Sequence, residues 1–120
     1  YMVPRGRGAI FLTGASASMR GTSGYAAFSA AKAGQRALAQ SMAKELGPQN
    51  IHVAHLVIDA GVDTAYVRDR IAQAGQDPNA LPTDSLMNPT SVAEAYWQLY
   101  HQPRDGWTFE MDLRPYGEPW

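Results

Sequence analysis

The chain has 120 residues, 45% hydrophobic and 18% charged, which is the composition of one globular domain and leaves no room for two. Its formal net charge of −1, with acidic and basic residues interspersed, supplies no electrostatic footprint for nucleic acid or an anionic membrane. The absence of cysteine excludes disulfides, thiolate metal sites and a cysteine nucleophile together, and no stretch nears the ~18 apolar residues of a membrane span or has the layout of a signal peptide. A cytoplasmic protein with no nucleic-acid and no membrane partner is the expectation.

Residues 8–13, GAIFLT, form a short apolar run bounded by glycines and read as a strand buried on both faces. A Gly/Ser/Thr-rich loop leads to about Gly24. Residues 26–46 then run without proline and are rich in Ala, Leu, Met, Gln and Lys, which predicts a long helix. Gly47, placed at the C′ position, and Pro48 end it. Small residues on several of its faces, from Ala27 to Ala39, let other backbones approach closely, so the helix is expected to be buried.

Residues 51–58, IHVAHLVI, read as the second strand, and strand-helix-strand with so long a crossover implies parallel pairing. His52 and His55, three apart on a strand, point to opposite faces and cannot share a metal. Asp59, Asp63 and Asp69 follow at irregular spacing and read as solvated turn acids, so no metal site is expected. Residues 62–74 have room for a short helix, whereas 75–89 are crowded with Pro, Asp, Asn and Gly and read as a lid or an arm. A second long helix opens near Asn88 and Pro89, with Ser91 and Glu94 spaced for a capping box, and stops before Pro103. Residues 107–113, WTFEMDL, alternate into a third strand, followed by a tail in which Tyr116 and Trp120 cover either a neighbouring subunit or the chain's own last helix.

The outcome is an α/β chain of order β-α-β-α-β, half of a doubly wound parallel sheet forming a single partial domain over residues 1–120. Three strands leave a sheet edge open and one flank of the long helix uncovered, which predicts self-association as a dimer or tetramer. Residues 13–21 superficially resemble a glycine-rich dinucleotide loop, but the glycine spacing is wrong and the matching acid would fall inside a helix.

The pattern G-x-I-x-x-x-G-A-S-A from Gly8, the run F-S-A-A-K from Phe28 to Lys32, and the helix end E-L-G at Gly47 together resemble the middle of the short-chain dehydrogenase/reductase family. Residues 51–64, 89–95 and 108–113 are similar to the family's later strands and helix, so the resemblance runs from Gly8 to about Leu113. It implies a Rossmann-like sheet, a small-molecule substrate, NAD or NADP as cofactor, and interconversion of a carbonyl and an alcohol. It also implies that the nucleotide fingerprint and a catalytic Asn would precede Tyr1, so that this chain alone is not expected to bind the cofactor tightly.

The family's catalytic group is a Ser, a Tyr and a Lys four residues after the Tyr. Hydride transfer at a carbonyl carbon leaves charge on oxygen, so a proton donor and a hydrogen-bonding hydroxyl must stand beside it. A Lys one helical turn away favours the ionised phenol, whose free pKa is about 10. In this sequence Phe28 occupies the Tyr position, and the Ser position aligns with Ala15. Losing acid/base help worth 10² to 10⁴-fold costs roughly 3 to 5.5 kcal/mol of barrier. Ser16 or Ser18 is left to supply a hydroxyl; Tyr25 either replaces the missing phenol or covers the helix N-terminus. Lys32 retains the Lys position, where it would hold the cofactor ribose. Asp59 and Ala60 stand where the family has Pro-Gly, and Val62 and Thr64 match its nicotinamide contacts, although Thr64 also suits the cap of the next helix. Two functions stand: an NAD(P)-dependent oxidoreductase, or a non-catalytic relative serving as an oligomerisation or ligand-binding module.

Overall fold

The computed structural model describes residues 1–119. One helical turn, α1 (Met2–Arg5), precedes strand β1 (Gly8–Ala15), a 3-10 turn (Ser16–Ser18), helix α2 (Ala26–Leu46) and strand β2 (Ile51–Ile58). Helices α3 (Ala65–Gln73) and α4 (Pro89–Tyr100) and strand β3 (Glu110–Leu113) complete the order. The three strands form one parallel sheet in the order β1-β2-β3, with Gly8 opposite Ile51 and His55 opposite Glu110.

All eight residues of β2 are buried, as its unbroken apolar run predicts for a strand covered on both faces. Ala54, Leu56 and Ile58 pack with Ala95 and Leu99 of α4, and Phe11, Met111 and Leu113 join them. The alternate residues take the opposite face, where Arg36 of α2 binds Glu110 of β3 at 2.7 and 3.0 Å. Glu110 also meets His55 Nδ1 at 3.0 Å. The two long helices therefore lie on opposite faces. The histidines separate in the same way, His52 stacking on Trp107 with ring centroids 4.7 Å apart on the α4 side.

Gly14 lets β1 pass His55. A Cβ at Gly14 would sit 2.3 Å from His55 Nε2 and 2.9 Å from Ser18 Oγ. Nε2 itself is buried and, among the described residues, finds no hydrogen-bond partner.

Several expectations need correction. Helix α2 is not buried: Ala39 alone is fully covered, and Phe28 and Leu38 are 47% and 54% exposed. A helix on a three-stranded sheet has backbone to meet on one side only, and small side chains do not by themselves bring a second. Gly47 is not the left-handed residue at its end. It remains right-handed (φ −53°), the chain continues through a 3-10 turn, and Asn50 takes the left-handed conformation (φ 63°). Asn50 Nδ2 then donates to the Gly6 carbonyl at 2.8 Å.

The start of α4 is capped by Asn88, whose side chain accepts from Thr90 N at 2.9 Å, and not by a box of Ser91 and Glu94. Pro89 sets the helix start one turn earlier, which leaves Ser91 and Glu94 inside it. Strand β3 is shorter than the predicted 107–113: a 3-10 turn occupies Arg104–Gly106 and Trp107, just after it, stacks on His52 ahead of the strand. Tyr116 is 89% exposed, and Trp120 lies outside the described residues. The irregular arm after α3 is tied down where Met87 pairs with Val62: Asp63 N donates to Met87 O at 2.8 Å and Met87 N to Gly61 O at 2.9 Å.

Candidate active site

In an open parallel sheet, ligands bind beyond the carboxyl ends of the strands, where the loops leave backbone groups free and the helices diverge. Here β1 and β2 end side by side, Ala15 opposite Ile58. β1 runs into the 3-10 turn at Ser16, β2 into Asp59 and Ala60, and α2 begins just after Tyr25. A cleft of about 260 Å³ opens between them, lined by Ala15, Ser16, Ala17, Thr22, Tyr25, Phe28, Ile58 and Ala60.

Tyr25 is the N-cap residue of α2 and Phe28 lies one turn on, their rings edge-on at 6.3 Å. Lys32 follows after another turn, on the same helix face, as its spacing of four from Phe28 predicts. Its Nζ donates to the Thr13 carbonyl at 3.0 Å and to Gln35 Oε1 at 3.4 Å, and stands 5.9 Å from the Phe28 ring centroid. Lys32 thus satisfies a carbonyl on the open edge of β1, beside the cleft rather than in its wall.

Of the two serines, Ser16 lines the cleft, whereas Ser18 is buried with its hydroxyl accepting from Ala15 N at 3.0 Å. Ser16 donates to Asp59 Oδ1. Asp59 is no solvated turn acid, unlike Asp63, which pairs with Arg68 at 2.9 Å on a partly exposed loop, and Asp69, which is exposed. Only 1% of Asp59 is exposed. Arg20 Nη2 reaches its two oxygens at 2.9 and 3.2 Å, and Arg114 Nη2 comes within 3.0 Å of Oδ2. Burial alone would raise the Asp59 pKa, but the Ser16 and Arg20 hydrogen bonds and the charges of Arg20 and Arg114 outweigh it and hold the carboxyl below the usual carboxylate range. The reason for the correction is topological: Asp59 N continues the ladder to Leu113 O at 2.9 Å, which keeps the residue inside the sheet.

Val62 and Thr64 stand away from this cleft. Val62 packs on the apolar core, and Thr64 caps α3 by accepting from Val67 N at 3.3 Å. The structure therefore gathers Ser16, Tyr25 and Phe28 around one cavity, with Lys32 beside it, and leaves the other two on the next segment. Asp59, Arg20 and Arg114 were missed by sequence reasoning. The available signal was an acid placed directly after eight apolar strand residues, where a charge needs partners to be buried.

A family model described as enoyl-(acyl carrier protein) reductase matches residues 1–108. Among solved structures, a short-chain dehydrogenase from Rhodopseudomonas palustris is 50% identical over 96% of this chain and 42% of its own, with a TM-score of 0.70. A short-chain dehydrogenase from Sphingobium yanoikuyae in complex with NADPH is 25% identical over 92% of this chain and 39% of its own, with a TM-score of 0.68. An NADPH-bound short-chain oxidoreductase from Pseudomonas aeruginosa PAO1, containing an atypical catalytic center, is 25% identical over 88% of this chain and 44% of its own, with a TM-score of 0.69. The chain thus spans about two fifths of the length of these relatives. Among curated proteins none matches it. Among the described residues no helix is long and apolar enough to cross a membrane. Its sheet, its helix order and the extent of the family match agree: the chain belongs to the short-chain dehydrogenase/reductase family.

Proposed function

We propose that the complete protein is an NAD(P)-dependent oxidoreductase interconverting a carbonyl and an alcohol on a small molecule, and that this chain forms the substrate side of its site. The observation that carries the reading is the cleft at the carboxyl ends of β1 and β2, where Ser16, Tyr25 and Phe28 meet. The NADPH held by the Sphingobium and Pseudomonas relatives supports the cofactor, and the atypical center of the latter is a precedent for an altered catalytic group. A cysteine-free chain with no long apolar helix among its described residues fits a cytoplasmic place of action.

The residues present suit a nicotinamide cofactor. Asp63 N and the Gly61 carbonyl bond the arm at Met87 on either side of Val62, which fixes the backbone of this segment. Thr64 accepts through its hydroxyl and keeps the proton to donate. Lys32 would hold the ribose, and Val62 and Thr64 the nicotinamide end; the bound cofactor supplies or accepts the hydride. Tyr25 is the phenol of this cleft with a proton to exchange, and Ser16 the hydroxyl that orients the substrate oxygen.

NADPH fluorescence titration and turnover by the full-length protein test this reading. Tyr25→Phe is expected to lower turnover by about 10² to 10⁴-fold, the usual worth of a placed acid/base, and Phe28→Tyr to add far less. Loss of wild-type turnover in Tyr25→Phe identifies Tyr25 as the proton donor.

The exposed face of α2, with Phe28 and Leu38 half-uncovered beside the open edge of β1, favours a second reading: a non-catalytic relative that self-associates through this surface or binds a ligand without turning it over. Activity that arises only in Phe28→Tyr supports that reading. Native mass spectrometry reads the association directly.

A further inference from the structure

We infer that the cleft beside Ser16 selects ligands that bring a hydrogen-bond donor, the alcohol rather than the ketone of a carbonyl–alcohol pair, and that Asp59 is the positioning residue that imposes this choice. The inference rests on the proposed reaction site in that it takes the same cleft, and it adds which partner of the pair the resting site receives.

A serine hydroxyl has one proton and two lone pairs, and a neighbour that fixes the proton fixes what remains for a ligand. Two guanidiniums lie against the Asp59 carboxylate, Arg20 touching both oxygens and Arg114 touching Oδ2, so the carboxylate has no proton to offer. Ser16 must donate, and its proton is committed to Asp59 Oδ1. With the Asp59 side chain 2% exposed, water does not compete for that bond. What Ser16 presents to the cleft is lone pairs.

The wall around it combines the apolar Ala15, Ala17, Phe28, Ile58 and Ala60 with two further hydroxyls, those of Thr22 and Tyr25, which stand open to either partner of the pair. A ligand hydroxyl facing Ser16 pairs with a lone pair. A ketone oxygen in the same place sets two acceptors against each other and forgoes the bond to Ser16, whereas the hydroxyls of Thr22 and Tyr25 can donate to either partner, so the difference between the two is that one bond. The expected discrimination is about tenfold.

The experiment uses the full chain and two probes of matched ring size, cyclohexanol and cyclohexanone, titrated by NMR with the methyl groups of Ala15 and Ala17 as reporters of the cleft. Cyclohexanol is expected to bind about tenfold more tightly. Ser16→Ala should bring the two probes within about twofold of each other. Asp59→Ala, by releasing the Ser16 proton, should weaken the alcohol and strengthen the ketone, whereas a purely structural loss weakens both. Equal wild-type affinities, a ketone preference, binding of neither probe, or a preference that survives Ser16→Ala each overturns the inference. Where Asp59→Ala fails to fold, the Ser16→Ala comparison decides. Cofactor titration of the full-length protein is a separate arm: alcohol preference without NADPH binding there leaves the preference standing and removes the oxidoreductase reading.

Discussion

The hydroxyl of Ser16, at the end of β1, donates to the carboxylate of Asp59, at the end of β2, and so ties together the two strand ends that frame the cleft. Arg20 and Arg114 complete the knot from the loop before α2 and from the segment after β3.

Asp59→Ala removes the acceptor of Ser16 and Arg20 and one of the two carboxylates on Arg114, which keeps Asp112, and is expected to destabilise the chain by about 1–3 kcal/mol. Asp59→Asn keeps the shape and an acceptor for Ser16, so its loss should be smaller. Urea denaturation measures both; an alanine cost near zero would return Asp59 to the rank of a solvated turn acid.

Acid should loosen the fold through two carboxylates. Burial opposes the Asp59 charge, but the Ser16 and Arg20 bonds and the neighbouring guanidiniums outweigh it, lowering its pKa below the ordinary 3.8. The Arg36 hydrogen bond lowers the Glu110 pKa below 4.5 against burial, and the His55 bond adds to it. A carboxylate with a depressed folded pKa contributes stability that is fully present above its unfolded pKa and lost as pH falls through the folded one. Stability is therefore expected to fall as pH drops below the ordinary carboxylate range, and Asp59→Asn with Glu110→Gln should flatten that acid slope. Denaturation midpoints across the range check it.

Gly14→Ala pushes a methyl group to within 2.3 Å of His55 Nε2, and the expected cost is about 1–3 kcal/mol. In a His55→Ala background most of that cost should vanish. A double-mutant cycle reads the coupling, and additive losses would show that the backbone, not the imidazole, resists the change.

The two candidate caps of α4 separate by substitution. Asn88→Ala should lose about 1 kcal/mol, because Thr90 N loses its acceptor. Ser91→Ala, inside the helix and exposed, should change stability by less than about 0.5 kcal/mol. Thermal melts of the two variants give the comparison; equal losses would restore the capping box.

Strand, helix, strand, helix and strand could be read from residues 8–113 because each rests on local chemistry: an apolar run, an Ala-rich stretch without proline, a proline after a helix. The spacing of Phe28 and Lys32 put them on one helix face by geometry alone. The clearest local misses were termini, where Gly47 and Asn50, or Asn88 and Ser91, are both chemically suitable and the surrounding chain decides between them.

The sequence by itself determined the order and type of the elements, the parallel sheet they build, and the absence of a phenol at position 28. Only the tertiary structure decided which hydroxyl faces the cleft, and that Asp59, Arg20 and Arg114 form a buried cluster around Ser16. It likewise joined Arg36, His55 and Glu110 across the far face of the sheet. The physical reason is separation along the chain. Periodicity and capping act over a few residues, whereas Ser16 and Asp59 are 43 positions apart and Arg36 and Glu110 are 74, distances bridged only when parallel pairing sets the strand ends side by side.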